Sequence, residues 1–316
     1  MTRLMLILAT VLATTVATPD FAAGSDEDDV EGGTIGTGIM GEITGLGSIN
    51  VNGLRIELPD DLVVTSSVGD RRADDLAVGE TVVVEAVRTD GGFTAHHARL
   101  YHPIVAPIEA ISGGRLQVMG LDLDISDLPL ARVATGDWVA ISGLWRGDGL
   151  VVSHVEQVAP RAEVVVNATF MQTEAGTQMI GPFAFERPVI TDAEAGDHLR
   201  VVGGWSAEGG VISPQVIEKG LFSEQVETLL VEGFMSWPDR NGRYFIFGSG
   251  LLFSTDDPGM GVPLERSVFC VTPGATPSFT QVIPLDMSRS DRLRLLEALP
   301  VAAAWGPQGL AACDRR

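Results

Sequence analysis

Three closely spaced aspartates in the middle of the chain are candidates for a ligand-binding site. Asp122, Asp124 and Asp127 stand in the segment Leu121-Asp-Leu-Asp-Ile-Ser-Asp. Calcium takes carboxylate oxygens as ligands, so the three are candidates for a calcium site, although their spacing is not that of an EF-hand loop. Period-2 alternation puts Asp122 and Asp124 on one face of a strand and the intervening apolar residues on its core face. We therefore favour a solvated acidic face, and no other cofactor is predicted.

Five histidines could ligate a metal ion or transfer protons, namely His96, His97, His102, His154 and His198. His96 and His102 share a face of one predicted strand, but about 20 Å separates them, which is too far for one ion without a bend. His97 points to the other face, and it takes the same position in the repeat described below as His154. We interpret the histidines at 96–102 as surface or partly packed residues. The position shared by His97 and His154 fits a structural hydrogen bond as well as a function.

Tryptophans recur at one place, four residues before a turn glycine, as Trp145, Trp205 and Trp305. Aromatic side chains on barrel faces stack on sugars and bases, so these are candidate ligand-stacking residues. A large residue at the same place in successive units can also cap a barrel or pack against the next one. The second interpretation is the simpler one, and both are kept.

The only two cysteines, Cys270 and Cys313, lie near the end of the chain. In an exported protein oxidation persists, so a disulfide between them is predicted. It would stabilise the fold by roughly 4 kcal/mol in the loop-entropy model. Two buried or unpaired thiols are the alternative.

Motifs for nucleophilic catalysis or phosphate binding do not occur. The chain has no Gly-x-Ser-x-Gly elbow and no phosphate loop that ends in Gly-Lys-Ser/Thr. A glycosidase needs two facing carboxylates, and no such pair can be singled out by spacing. We therefore lean towards a non-enzymatic protein.

Charge and the N-terminal segment restrict the partners and the location. Lys and Arg total 21 against 42 Asp and Glu, a net charge of −21, so the phosphate attraction of nucleic-acid-binding proteins is missing. Residues 1–23 have the form of a signal peptide, and their apolar run is too short to span a bilayer. We predict an exported protein, periplasmic or extracellular, with no membrane span after cleavage and an acidic disordered leader over residues 24–33.

A repeated pattern predicts the fold. An apolar strand that runs to a turn glycine, followed by a second strand, occurs at Gly79–Gly92, Gly136–Gly149 and Gly196–Gly209, and a shorter copy ends at Gly309. A hairpin marker precedes each copy, and the clearest is Asn52-Gly53, which suits a type I′ turn. Two hairpins and a leading strand can close a five-stranded barrel. The sequence therefore predicts an all-β protein of tandem OB-like five-stranded barrels.

Four such units are placed along the chain, at residues 34–102, 103–160, 161–222 and 223–316. The fourth is enlarged by an insertion of roughly 40 residues. It also contains the one short helix predicted, over residues 288–300, which begins at a serine N-cap and ends at a proline.

The first two units resemble a known family. The segments are Gly38-Ile-Met-Gly-Glu-Ile-Thr-Gly-Leu-Gly-Ser-Ile-Asn-Val-Asn-Gly-Leu-Arg-Ile, Val78-Gly-Glu-Thr-Val-Val-Val-Glu and Phe93-Thr-Ala-His-His-Ala-Arg-Leu. They resemble bacterial exported proteins built of tandem small β-barrel domains of unknown function. The resemblance is faint over the third unit and poor over the fourth. It implies the fold and export, and it implies no activity or catalytic residue.

These observations favour an exported non-enzymatic binding protein or envelope-associated scaffold, with an unknown protein or glycan partner. One alternative is a carbohydrate-binding module that uses the barrel-face aromatics, which exposed aromatics along a groove would favour. A second is a hydrolase with its site near the insertion in the fourth unit, which buried convergent carboxylates or histidines beside residues 255–287 would favour. A third is a cation-binding protein, which converging carboxylates at the three aspartates would favour.

Overall fold

The computed structural model describes most of the chain between residues 36 and 271. The described ranges are 36–129, 133–146, 149–173, 176–185, 189–206, 210–222, 226–238, 242, 244–248, 251–255 and 263–271. They form 22 strands and one 3₁₀ turn, Ala73–Asp75, so the predicted all-β class is confirmed. No helix in these ranges is long and apolar enough to cross a membrane. The predicted signal peptide, acidic leader and helix over 288–300 lie outside the described residues.

The first unit closes into a five-stranded barrel. Its strands are β1 (Gly36–Gly45), β2 (Ile49–Val51), β3 (Leu54–Glu57), β6 (Thr81–Thr89) and β7 (Gly92–Leu100). Antiparallel pairing joins β1 to β2, β2 to β3, β6 to β7 and β6 to β1. The ring is completed by parallel pairing of β3 with β7. One predicted barrel, with mixed strand directions, is therefore present.

Local sequence explains how this barrel turns and fills. Asn52 and Gly53 have φ angles of 56° and 74°, which is the type I′ geometry that the dipeptide predicted. In β3 the burial alternates, with Leu54 and Ile56 buried and Arg55 and Glu57 exposed. Inward-facing aliphatic side chains such as Ile43 and Val84 fill the interior. Alternation thus gives each strand one apolar face for the barrel core.

The connection between β3 and β6 adds two short strands outside the ring. They are β4 (Val63–Thr65) and β5 (Arg71–Arg72). β4 runs parallel to the second half of β7 and pairs Val64 with Ala98. This connection therefore covers an edge of β7 that the barrel leaves free.

The second unit has the same succession of strands but splits into two sheets. Its strands are β8 (Ile104–Pro107), β9 (Ala110–Ser112), β10 (Arg115–Val118), β11 (Leu121–Asp124), β12 (Trp138–Arg146) and β13 (Gly149–Val158). β9, β10 and β11 form a sheet of their own, whereas β8, β12 and β13 belong to an eight-stranded sheet. No β-ladder among the described residues joins β11 to β13.

The third unit continues the eight-stranded sheet. Its strands are β14 (Val164–Gln172), β15 (Gln178–Ile180), β16 (Phe183–Ala184), β17 (His198–Ser206) and β18 (Gly210–Lys219). β14 pairs with β8 of the second unit, so one sheet continues through both units. The two ends of the third unit meet at a single parallel bridge, between Phe185 and Val211.

The fourth unit is described only in part and attaches to the first barrel. Its strands are β19 (Val226–Met235), β20 (Tyr244–Gly248), β21 (Leu251–Thr255) and β22 (Arg266–Val271). β19 pairs with β20 and β22, and it runs parallel to β1 with Ile39 opposite Leu230. Asn52 reinforces this junction, because its Nδ2 donates 2.9 Å hydrogen bonds to the carbonyls of Met40 and Leu230.

The prediction of four tandem barrels is therefore corrected. One barrel closes through backbone ladders, and the other described units form open sheets. A physical reason is that the second and third units share one hydrophobic core, to which both contribute large side chains such as Trp145, Phe170 and Phe183. The units complete each other's cores across the β8–β14 ladder, so neither needs a closed ring to bury its apolar residues.

Candidate functional site

A groove runs along the open seam of the second unit, between β11 and the start of β13. Its cavity volume is about 580 Å³, within the range of protein sites that take small ligands or chain segments. The predicted residues Asp122, Asp124 and Asp127 line it, and Arg115 and Arg146 line it too. The structure thus brings the three aspartates to one surface feature.

The corresponding seam is paired in the first unit and bridged at one point in the third. In the first unit Ile56 of β3 pairs in parallel with Phe93 of β7. In the third unit Phe185 and Val211 make the parallel bridge at the equivalent position, counted from each hairpin turn. The strand ends that meet there satisfy each other's backbone hydrogen bonds.

Three equivalent glycines show why the second unit differs. A Cβ on Gly92 would lie 2.8 Å from the carbonyl oxygen of Arg55, and one on Gly210 would lie 2.6 Å from that of Ala184. The equivalent Gly149 has no such neighbour within 4 Å. The backbones of β11 and β13 therefore stop short of the close approach that is found at the other two seams.

Arg115 donates hydrogen bonds to the polar groups of Asp122 next to this gap. Its Nη2 donates to the carbonyl of Asp122 at 3.1 Å, and its Nε donates to the Asp122 carboxylate at 2.9 Å. The same guanidinium lies 3.8 Å from Asp124. The Asp122 carbonyl is the counterpart of the Arg55 and Ala184 carbonyls, so Arg115 competes with β13 for it.

Local hydrogen bonds stabilise the ionised form of two carboxyl groups along the groove. The hydrogen bond from Arg115 lowers the pKa of Asp122, and the hydrogen bonds from the amide and hydroxyl of Ser126 lower the pKa of Asp124. Both carboxylates are thus ionised at neutral pH. Asp127 is exposed at the same rim.

The groove geometry does not form a metal centre. Asp122 and Asp124 direct their oxygens to Arg115, and the described residues contain no group of three or more His, Cys, Asp or Glu side chains arranged to hold a metal ion. The calcium site stays a hypothesis with no supporting geometry in this part of the chain.

Comparison with known proteins adds no relative. The chain matches no protein-family model, no curated protein and no solved structure. The resemblance to exported β-barrel proteins of unknown function therefore stays a prediction.

The two described tryptophans of the candidate stacking set pack at the junction of the second and third units. Trp145 is 5% exposed, and its Nε1 donates to the carbonyl of Asn167 at 2.6 Å. Trp205 donates from Nε1 to the Glu109 carboxylate at 2.7 Å. Both rings meet Phe183 edge to face. This placement matches the packing interpretation, while Trp305 lies outside the described residues.

Two buried carboxylates do converge beside β22. Glu42 of β1 and Glu232 of β19 each lie within 2.9 Å of Nη2 of Arg266. All three side chains are at most 8% exposed. A hydrolase would need such a pair to be open to substrate, whereas this triad is closed off and ties three strands together.

Only one cysteine of the predicted disulfide lies within the described residues. Cys270 is buried on β22, next to the first barrel's core, and Cys313 lies outside the described residues. The pairing therefore stays a prediction.

The histidines divide into exposed and buried groups. His96 and His97 are exposed on β7 and His154 is partly exposed on β13. The prediction of a surface or partly packed residue is wrong for His102, which is buried with Nδ1 3.0 Å from the Ser67 hydroxyl. His198 is buried beside the Tyr101 ring. Burial lowers the pKa of both buried imidazoles to about 3, so they are neutral at physiological pH.

Sequence reasoning found the three aspartates but missed Arg115 and Gly149. Arg115 carried a usable signal, because a two-residue turn at Met119-Gly120 places it opposite Asp124 across the hairpin, and opposite charges are favoured there. Gly149 carried no such signal, because the first and third units have a turn glycine at the equivalent position. Only the fold shows that the seam beside Gly149 is the open one.

Proposed function

We propose that this chain is an exported, non-enzymatic binding protein that takes its ligand in the groove of the second unit. The observation that carries the proposal is the open seam at Gly149, because the equivalent seam is paired in the first unit and bridged at one point in the third. An unpaired strand edge next to charged side chains offers hydrogen bonds that a ligand can complete. The signal-like residues 1–23 support export.

The character of the groove favours a polar ligand over a stacked sugar ring. Its lining consists of aspartates, arginines, glycines and a serine together with leucines and valines, with no aromatic residue among those that define it. The carbohydrate alternative relied on tryptophans, and of the two described ones Trp145 lies in the shared core and Trp205 packs against it. Hydrogen bonds to Asp127 and to strand backbone would therefore orient the ligand.

The first barrel adds support for a binding role at the level of fold. Its closed ring of five strands, with the third and last strands parallel, is consistent with an OB-like barrel. Such barrels serve as binding platforms. We infer that the remaining units are opened variants of the same unit, which agrees with the similar bulges after Glu85 in β6 and Ser142 in β12.

A ligand screen with a groove-filling variant tests the proposal. Gly149→Val places a side chain in the open space, and Gly149 has no positive φ, so the change carries no backbone strain. Gly91→Val is the matched control, because Gly91 is also a turn glycine with open space and no positive φ. Thermal unfolding of the mature protein is measured with calcium, zinc, an oligosaccharide panel and a short-peptide pool.

The outcomes are distinguishable because a ligand that prefers the native state raises its apparent stability. We expect one ligand class to raise the melting temperature of the wild type and of Gly91→Val, and to leave Gly149→Val unchanged. A shift that persists fully in Gly149→Val would overturn the groove as the binding site. The absence of any shift across the panel would overturn the proposal.

A further inference from the structure

One strand edge is covered in the first unit and open in the third. In β7, Ala98 pairs inward with Val84 of β6 and outward with Val64 of β4. In β18, the equivalent residue is Val216, which pairs inward with Val201 of β17. Among the described strands nothing pairs with the outer side of β18 at this place.

Exposure shows the effect of the missing neighbour. Ala98 is completely buried, and the strand β4 lies beside it. Val216 is 41% exposed and the following residue, Ile217, is 52% exposed. A β-branched pair on an open edge is the arrangement that attracts another strand, and proteins usually protect such edges with charges or cover them.

The register at this edge limits what can pair with it. A bulge between Arg200 and Val201 leaves Ile217 without a partner on β17, which bends the edge away from a long flat sheet. A short strand is enough, because β4 itself pairs with only two residues of β7. The edge therefore suits a short extended segment better than a broad sheet.

Charge decides between a second copy of this chain and a different partner. The chain has a net charge of −21, so two copies repel each other. At the end of β18 the Lys219 amino group lies 2.8 Å from Asp197 and close to the backbone of Asp192. The lysine next to this edge is thus already paired with an aspartate, and the overall negative charge favours a basic partner.

We propose that the outer edge of β18, at Val216 and Ile217, binds an extended polypeptide segment of a partner protein by β-strand addition. The segment carries β-branched residues that cover the two apolar side chains, and lysines or arginines flank them. It runs parallel to β18, as β4 runs parallel to β7. Backbone hydrogen bonds supply affinity and the alternate side chains supply selectivity. This site is separate from the groove and does not depend on its ligand.

A peptide that copies β4 tests the proposal with the full mature protein. The probe is a fluorescent peptide with the sequence of residues 62–66, Leu-Val-Val-Thr-Ser, flanked by two lysines at each end. Its control has proline in place of the central valine, which removes a backbone donor. Binding is followed by fluorescence anisotropy, and amide hydrogen exchange locates the protected residues.

We expect saturable binding of the probe, no binding of the proline peptide, and slower exchange within residues 214–219. Ile217→Lys should weaken binding about tenfold or more, because a charge on an edge strand opposes pairing. Leu46→Lys is the matched control, since Leu46 is 53% exposed on the first barrel and the charge change is the same. Gly149→Val should bind like the wild type.

Several results would overturn the inference. These are an unchanged affinity for Ile217→Lys, an equal loss in Leu46→Lys, which would make the effect one of overall charge, and protection at an edge other than β18. A lack of saturable binding by the probe would overturn it as well. A loss confined to Gly149→Val would instead assign the peptide to the groove.

Discussion

Acidification should destabilise this protein through two buried histidines, and His198→Leu should remove half of the effect. His102 and His198 are buried and neutral, with pKa values lowered to about 3 by burial. Nearby positive charges act in the same direction, chiefly Arg71 on His102 and Arg99 on His198. In the unfolded chain both imidazoles return to their ordinary pKa of 6.5.

The sign and size follow from proton linkage. Between pH 6.5 and about 3 the unfolded chain binds a proton at each histidine and the folded chain does not. The stability is therefore complete above pH 6.5 and falls as the pH is lowered. From pH 7 to pH 5 each histidine contributes a loss of about 2 kcal/mol. Two histidines together remove about 4 kcal/mol, a large share of the 5–15 kcal/mol typical of a folded protein.

Urea unfolding at pH 7, 6 and 5 measures this loss directly. The wild type and the variants have the same carboxylates, so the contribution of the carboxylates to the pH-dependent loss of stability cancels when the proteins are compared. His198→Leu should lose about 2 kcal/mol less than the wild type between pH 7 and 5. His96→Gln, which removes an exposed imidazole of β7, is the matched control. Equal losses in the wild type and in His198→Leu would refute the reasoning, and an NMR titration of the wild-type imidazoles checks it without a mutation.

Three further predictions concern stability. Arg266→Met strands two buried carboxylates and should cost about 3–5 kcal/mol in urea unfolding at pH 7, and a cost below about 1 kcal/mol would contradict the buried triad. Gly41→Ala puts a Cβ 2.1 Å from the Asn52 amide oxygen, so it should destabilise the protein, whereas Gly41→Ala combined with Asn52→Gly should recover part of the loss. Reduction of the mature protein should expose two thiols and lower its stability by roughly 4 kcal/mol, and thiols that react before reduction would exclude a bond between Cys270 and Cys313.

Local signals predicted the local structure well. The Asn52-Gly53 turn adopts the conformation that its residues favour, and alternation in β3 and β11 places the apolar residues inward. Such features depend on neighbours within a few residues of each other. The all-β class and the first barrel could be predicted for that reason.

Contacts between distant strands could not be predicted in the same way. The hydrogen bond from Glu42 to Glu232 joins residues 190 positions apart, and the ion pair of Glu42 with Arg266 spans 224 positions. The sequence repeat suggested that every unit closes into its own barrel. The second and third units instead share one hydrophobic core and are joined by the β8–β14 ladder. The candidate site shows the same limit, because the aspartates are visible in sequence and the gap at Gly149 depends on how two backbones approach.

The parallel pairing of β1 with β19 has a consequence for how the chain folds. Paired residues of the two strands, such as Gly36 and Val226, lie about 190 positions apart, so the outer edge of Gly36–Met40 stays uncovered until β19 has been synthesised. Closing so long a loop is slow, and an open edge can pair with the wrong strand in the meantime. A β19 from a neighbouring copy fits that edge as well as the chain's own does, which makes exchange of this strand between two molecules the expected misfolding route at high concentration.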